Sequence, residues 1–114
     1  MTETTERFFY LWKNHMGRTC FGITSNPDSR RRKYEGHCGY AVSFTALWSG
    51  PDTLIEDLED QFKSEFWEHL LETDSGKYEW VLETIDYETV LGWIQWEIEH
   101  SYNNCIQNII IESD

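Results

Sequence analysis

The sequence predicts a small α+β domain: a β-hairpin, then helix, strand and helix, with a C-terminal strand/helix extension. Three observations predict it. The aromatic and β-branched runs RFFYLWKN and TCFGIT flank a short turn containing Gly17 and read as paired strands. Two later segments carry apolar residues at helical spacing: Leu54, Ile55, Leu58, Phe62, Phe66 and Leu70 in one, Val90, Leu91, Ile94 and Ile98 in the other. With 114 residues the chain has the length of one domain, and six Trp, six Tyr and six Phe give it enough apolar area to form a core without a disulfide or metal staple.

The elements follow in order. Residues 1–6 are polar and read as a frayed tail. After the hairpin, Asn26 suits an N-cap, Pro27 the first helical position and Asp28 the first turn. Gly36 reads as the stop, which predicts a helix over Pro27–Glu35. YAVSFTALW alternates and predicts a third strand over Tyr40–Trp48. SGPD ends it; Thr53 and Glu56 can form a capping box, Pro51 allows an earlier start, and the helix runs to about Leu71. TDSGK reads as a loop and YEWVLET as a short strand. DYETVLGWIQWEIEHSYNN is the last helix, and CIQNIIIESD is a final strand. There are no repeats and no linker-like tract.

Charge is unevenly divided. Residues 1–50 hold seven Lys/Arg against four Asp/Glu, whereas residues 51–114 hold two Lys against seventeen Asp/Glu, within a total of −12. A polyanion is attracted to the first half alone. The acidic half keeps a small protein soluble and offers a contact surface to a basic protein partner. Three cysteines without a CxxC pair argue against a disulfide framework or a Cys-built zinc site and fit a reducing, cytoplasmic setting. The four histidines, His15, His37, His69 and His100, show no HxxxH spacing. No signal peptide and no apolar run of membrane-spanning length is visible, so no membrane association is expected.

The densest stretch is GRTCFGITSNPDSRRRKYEGH, a cationic turn and helix in an acidic protein. With the strand before it, it resembles the GIY-YIG nuclease family. FFY (Phe8, Phe9, Tyr10) stands where that family has GIY, and CFG (Cys20, Phe21, Gly22) where it has YIG. Arg30 follows Gly22 by eight residues, on the first turn of the next helix, where the family carries an essential Arg. LIEDLEDQF stands where the family's Glu sits, with Glu59 the best match and Glu56 the fallback. The resemblance spans about residues 8–70 and leaves 71–114 as an acidic C-terminal extension within a single domain.

The resemblance implies a metal-dependent endonuclease acting on nucleic acid, with DNA the expected substrate. In that reading Tyr10, Arg30, Glu59 and Tyr34 are catalytic, and Glu59 holds one Mg²⁺ or Mn²⁺. Arg31, Arg32, Lys33, Thr24 and Arg18 contact nucleic acid. The chemistry suits these residue types. A guanidinium donates paired bonds to phosphate oxygens, a carboxylate binds a hard cation that keeps its waters, and a phenol relays a proton. Each also has an ordinary role: Tyr10 as a packed aromatic, Arg30 and Glu59 as surface charges, and the Trp and Tyr of residues 78–102 as core. The chain departs from the family in three places. Cys20 replaces the second motif's tyrosine, and a thiol lacks a phenol's reach. Tyr34, at i+4 from Arg30, stands where many members have His, with His37 three residues further on. A late Asn ligand falls near Asp74. These departures support an alternative: a catalytically reduced fold of this type serving as an acidic binding or regulatory protein for a nucleic-acid-processing partner.

Overall fold

The computed structural model describes residues 6–14, 16–73, 76–81 and 84–111. The expected frayed tail, His15 and Asp74 lie outside or largely outside these residues. Strand β1 (Glu6–Lys13) turns back into β2 (Thr19–Thr24), with Tyr10 opposite Gly22 and Trp12 opposite Cys20. The Asn14 side chain organises the turn by accepting from the Met16 and Arg18 backbone N–H groups at 3.0 and 2.9 Å, and Gly17 takes φ +83° there, a conformation that costs glycine little. Strand β3 (Ala46–Pro51) pairs with the other side of β1, and β6 (Gln107–Ile111) with β3. On the opposite flank β5 (Gly76–Val81) pairs with β2, and β4 (Leu70–Thr73) with β5. The result is one six-stranded antiparallel sheet of order β4-β5-β2-β1-β3-β6.

The period-2 alternation of β1 and β2 sorts side chains to two faces. Phe9, Leu11 and Phe21 point to one face, where Ile55, Leu58 and Phe62 of α2 (Asp52–Glu65) and Val90, Leu91 and Ile94 of α3 (Tyr87–His100) bury them. Phe62 anchors this core, with ring centroids 4.6 Å from Phe21 and 5.5 Å from Phe9. Tyr10, Trp12 and Cys20 point to the other face. There they meet Tyr34 and Cys38 of α1 (Pro27–Cys38) and the segment 40–45. The domain is thus a sheet between two layers, α1 on one side and α2 with α3 on the other. No helix among the described residues is long and apolar enough to cross a membrane.

Four expected boundaries are corrected. Helix α1 runs through Gly36 to Cys38 and stops at Gly39, whose φ of +77° and N–H to the Glu35 carbonyl (2.9 Å) make the cap. The strand expected over Tyr40–Trp48 begins only at Ala46. Residues 41–44 alternate in burial, but they lie over the sheet and bury Val42 and Phe44 against Tyr10 and Leu47. Glu35 holds this segment by accepting the Val42 N–H at 2.8 Å. Helix α2 starts at Asp52 without a side-chain cap, so the Thr53–Glu56 box is not used. It ends at Glu65, and after a short 3₁₀ turn (Trp67–His69) Leu70 enters β4, a strand absent from the expected order.

Candidate active site

Among the described residues, strand β5 pairs with β2 at Thr19 and Cys20 alone. From Phe21 onward the outer edge of β2 therefore has no strand neighbour among the described residues. Helices α1 and α2, from opposite faces, both reach this open edge. Between them is a cleft of about 260 Å³ lined by Tyr10, Gly22, Arg30, Glu59 and Lys63, with Phe21 and Ile23 as its apolar wall. Local sequence sets the aim of α1. The Asn26 side chain accepts the Ser29 N–H at 3.1 Å, so the helix begins at Pro27 and Arg30 falls on its first turn, over Tyr10.

Four side chains form a hydrogen-bonded chain beneath the cleft. Arg30 Nη1 donates to the Tyr10 hydroxyl at 3.1 Å, the Tyr10 and Tyr34 hydroxyls are 2.7 Å apart, and the Cys20 thiol donates to the Tyr34 hydroxyl at 3.4 Å. Tyr10 has no exposed surface. Burial raises its pKa above the ordinary phenol value, while the Tyr34 hydrogen bond and the Arg30 charge pull against that rise. Tyr34 is raised much further, by burial first and then by the neighbouring Cys20 and Tyr10. Both phenols are neutral at pH 7. Burial opposes the Arg30 charge, the two phenols favour it, and the balance leaves its pKa above the ordinary value. The Tyr10 oxygen can thus accept from Arg30 and Tyr34 together, leaving its own proton to point into the cleft.

Gly22 has a steric role. The Tyr10 ring lies across it, and a Cβ at this position would fall 2.7 Å from Tyr10 Cζ and collide with the hydroxyl. Opposite, Glu59 is the one carboxylate lining the cleft among the described residues. Burial raises its pKa, and Lys63, 3.7 Å away and one turn along α2, acts against that rise. Among the described residues no three His, Cys, Asp or Glu side chains cluster as a metal cage. A lone, partly desolvated carboxylate facing an open cleft fits a cation such as Mg²⁺, which keeps several of its waters.

Other sequence-predicted residues lie elsewhere. Thr24 is buried at the end of β2, and its hydroxyl both accepts the Asn26 N–H (3.1 Å) and donates to the Asn26 carbonyl (3.2 Å). Arg18 is at the hairpin end, beside Lys13, Asp86 and Tyr87. Arg31 pairs with Glu35 at 3.2 Å and approaches Asp28 at 3.9 Å. Arg32 and Lys33 are exposed on α1. Glu56 points to Arg7 at 3.5 Å rather than into the cleft. Trp93 and Tyr102 pack in the α2–α3 core, and Trp80 packs on Trp12. Trp96 is half exposed and stacks on His100. Sequence reasoning missed Lys63, although its i+4 spacing from Glu59 places both on one helix face. No family model, curated protein or solved structure matches this chain.

Proposed function

We propose that this protein is a metal-dependent endonuclease hydrolysing phosphodiester bonds in DNA by a GIY-YIG-type mechanism. The observation that carries the proposal is the meeting of Tyr10, Arg30 and Glu59, from β1, α1 and α2, on one cleft. The order of these elements, hairpin, helix, strand, helix, supports this reading. Arg30 binds the phosphoryl oxygens and stabilises the charge that builds on them. The Tyr10 hydroxyl, its oxygen accepting from Arg30 and Tyr34, directs its own proton as a hydrogen bond to a phosphoryl oxygen, where charge builds. Glu59 would hold one Mg²⁺ or Mn²⁺, which would supply Lewis acidity when bound. Tyr34 takes over from the tyrosine missing at position 20 by reaching Tyr10 from the helix.

A second reading is a catalytically reduced binding protein for a nucleic-acid-processing partner. The Lys63–Glu59 ion pair favours it, because it engages the carboxylate that a metal needs. Incubation with supercoiled plasmid and Mg²⁺ or Mn²⁺ separates the two. The nuclease reading expects nicking or linearisation that falls at least about a hundredfold in Arg30→Ala and Glu59→Ala. An inactive parent protein supports the binding reading, and cleavage that survives both substitutions marks a contaminant.

A further inference from the structure

The basic run of α1 is divided by the helix. Arg30, Lys33, Tyr34 and His37 stand at i, i+3, i+4 and i+7, so they share one face. They line a second depression of about 220 Å³, and Arg30 lines both it and the cleft. Lys33 and His37 are exposed, and among the described residues neither has an ion-pair partner. Arg31 is different: Glu35 and Asp28 bracket it on another side of the helix. Seven residues of helix rise about 10 Å, a span longer than a single phosphate.

We infer that this face is a track for the phosphate backbone of a single nucleic-acid strand. Arg30 takes the reacting phosphate, and Lys33 and His37 take the phosphates beside it, toward the C-terminal end of α1. The inference rests on the nuclease reading and names the substrate that the site takes: an extended strand rather than an isolated phosphodiester. Charge supports one direction of approach. The track lies on α1, which carries four Lys/Arg against two carboxylates, whereas α2 carries six carboxylates against one Lys. A strand leaving the cleft along α1 gains attraction, and one leaving along α2 meets repulsion.

The test uses fluorescence anisotropy with a labelled single-stranded DNA oligonucleotide in EDTA, where no cleavage occurs, across a NaCl series. Lys33→Ala/His37→Ala is expected to weaken binding about tenfold, and loss of the Lys33 charge to flatten the slope of log affinity against log salt by about 0.7. Arg7→Ala, which also removes one positive charge but from β1, where Asp52 and Glu56 of α2 engage it, is expected to change binding less than twofold. Equal losses from Lys33→Ala and Arg7→Ala would overturn the track, since net charge alone then explains binding. Competition by poly-glutamate of matched charge, equal to that of DNA, would overturn it too. Plasmid cleavage is scored separately. An inactive parent protein removes the nuclease reading, while the anisotropy series still decides the track.

Discussion

The sharpest test of this architecture is Gly22→Ala. The added Cβ falls 2.7 Å from Tyr10 Cζ and 3.3 Å from Cε2, whereas carbon atoms rest about 3.5–4.0 Å apart. The ring must therefore retreat by roughly 0.8 Å from its present position. It has little room to do so, because Tyr10 is fully buried and its centroid is 5.0 Å from Phe44 and 6.0 Å from Tyr34. Forcing a methyl into a filled site costs about 1–3 kcal/mol. Displacing the hydroxyl also weakens its bonds to Tyr34 and Arg30, at about 1 kcal/mol each. Against this, alanine restricts the unfolded chain and returns about 0.4–1 kcal/mol. The net loss is about 2–4 kcal/mol, a fall in Tm of roughly 10–15 °C at this chain length. Gly36→Ala is the control. Gly36 lies inside α1, and a Cβ added there would meet nothing within 4 Å, so the same substitution should stabilise by about 0.5–1 kcal/mol. Urea unfolding followed by tryptophan fluorescence measures both. Adding Tyr10→Phe to Gly22→Ala should recover part of the loss, giving a non-zero coupling in a double-mutant cycle. A Gly22→Ala protein within about 0.5 kcal/mol of the parent, the range of a neutral surface change, would refute the proposed contact.

Three further outcomes are expected. Cys20→Tyr should destabilise by about 1–3 kcal/mol, because Cys20 is fully buried with the Tyr34 hydroxyl already 3.4 Å from its sulfur; adding Tyr34→Ala should relieve the loss, and no relief in urea unfolding contradicts the shared space. Glu59 has a pKa raised by burial, so its contribution to stability is present below its unfolded value and lost as pH rises through the folded one. Glu59→Gln should therefore raise Tm at pH 7 while removing cleavage, and a lowered Tm counts against the assignment. Tyr10 and Tyr34 have raised pKa values, so their contribution is intact below the unfolded phenol value of about 10 and falls away above it. Between about pH 9 and pH 11 the parent should lose more urea resistance than Tyr34→Phe; equal losses contradict a buried phenol at position 34.

What could be read from the sequence was local. The hairpin is written in two aromatic runs around Gly17, and the start of α1 in Asn26-Pro27. Both signals act within a few residues. The end of α1 carries an ambiguous local signal, since Gly36 and Gly39 are both eligible stops. Tertiary packing decides for Gly39, because Tyr34 and Cys38, one turn apart, both pack on the sheet. Residues 41–44 carry a strand's alternation, yet their buried side chains cover a face of the sheet instead of extending it. Leu70 fits the helical period of α2, and only pairing with Val81, eleven residues on, makes it part of a strand. In the site, the resemblance to the GIY-YIG motifs pointed to three residues that line the cleft, Tyr10, Arg30 and Glu59. It did not disclose that Tyr34 bridges to Cys20 or that Lys63 holds Glu59, because both depend on how side chains meet in the folded chain.

The fold changes what the charge asymmetry means. Along the chain it divides a mildly basic first half from a strongly acidic second half. In space it divides the two faces of the sheet: α1 is cationic, while α2 and α3 carry nine carboxylates against one Lys. The open edge of β2 lies where these layers meet, so the cleft takes a cation from one side, Arg30, and a carboxylate from the other, Glu59. A phosphodiester entering that cleft finds its charge matched on the α1 side. The carboxylate opposite it becomes a favourable neighbour only when a cation lies between them. That requirement gives Lys63 and a divalent ion competing claims on Glu59, and it ties the metal dependence of the proposed reaction to the sheet edge on which the site is built.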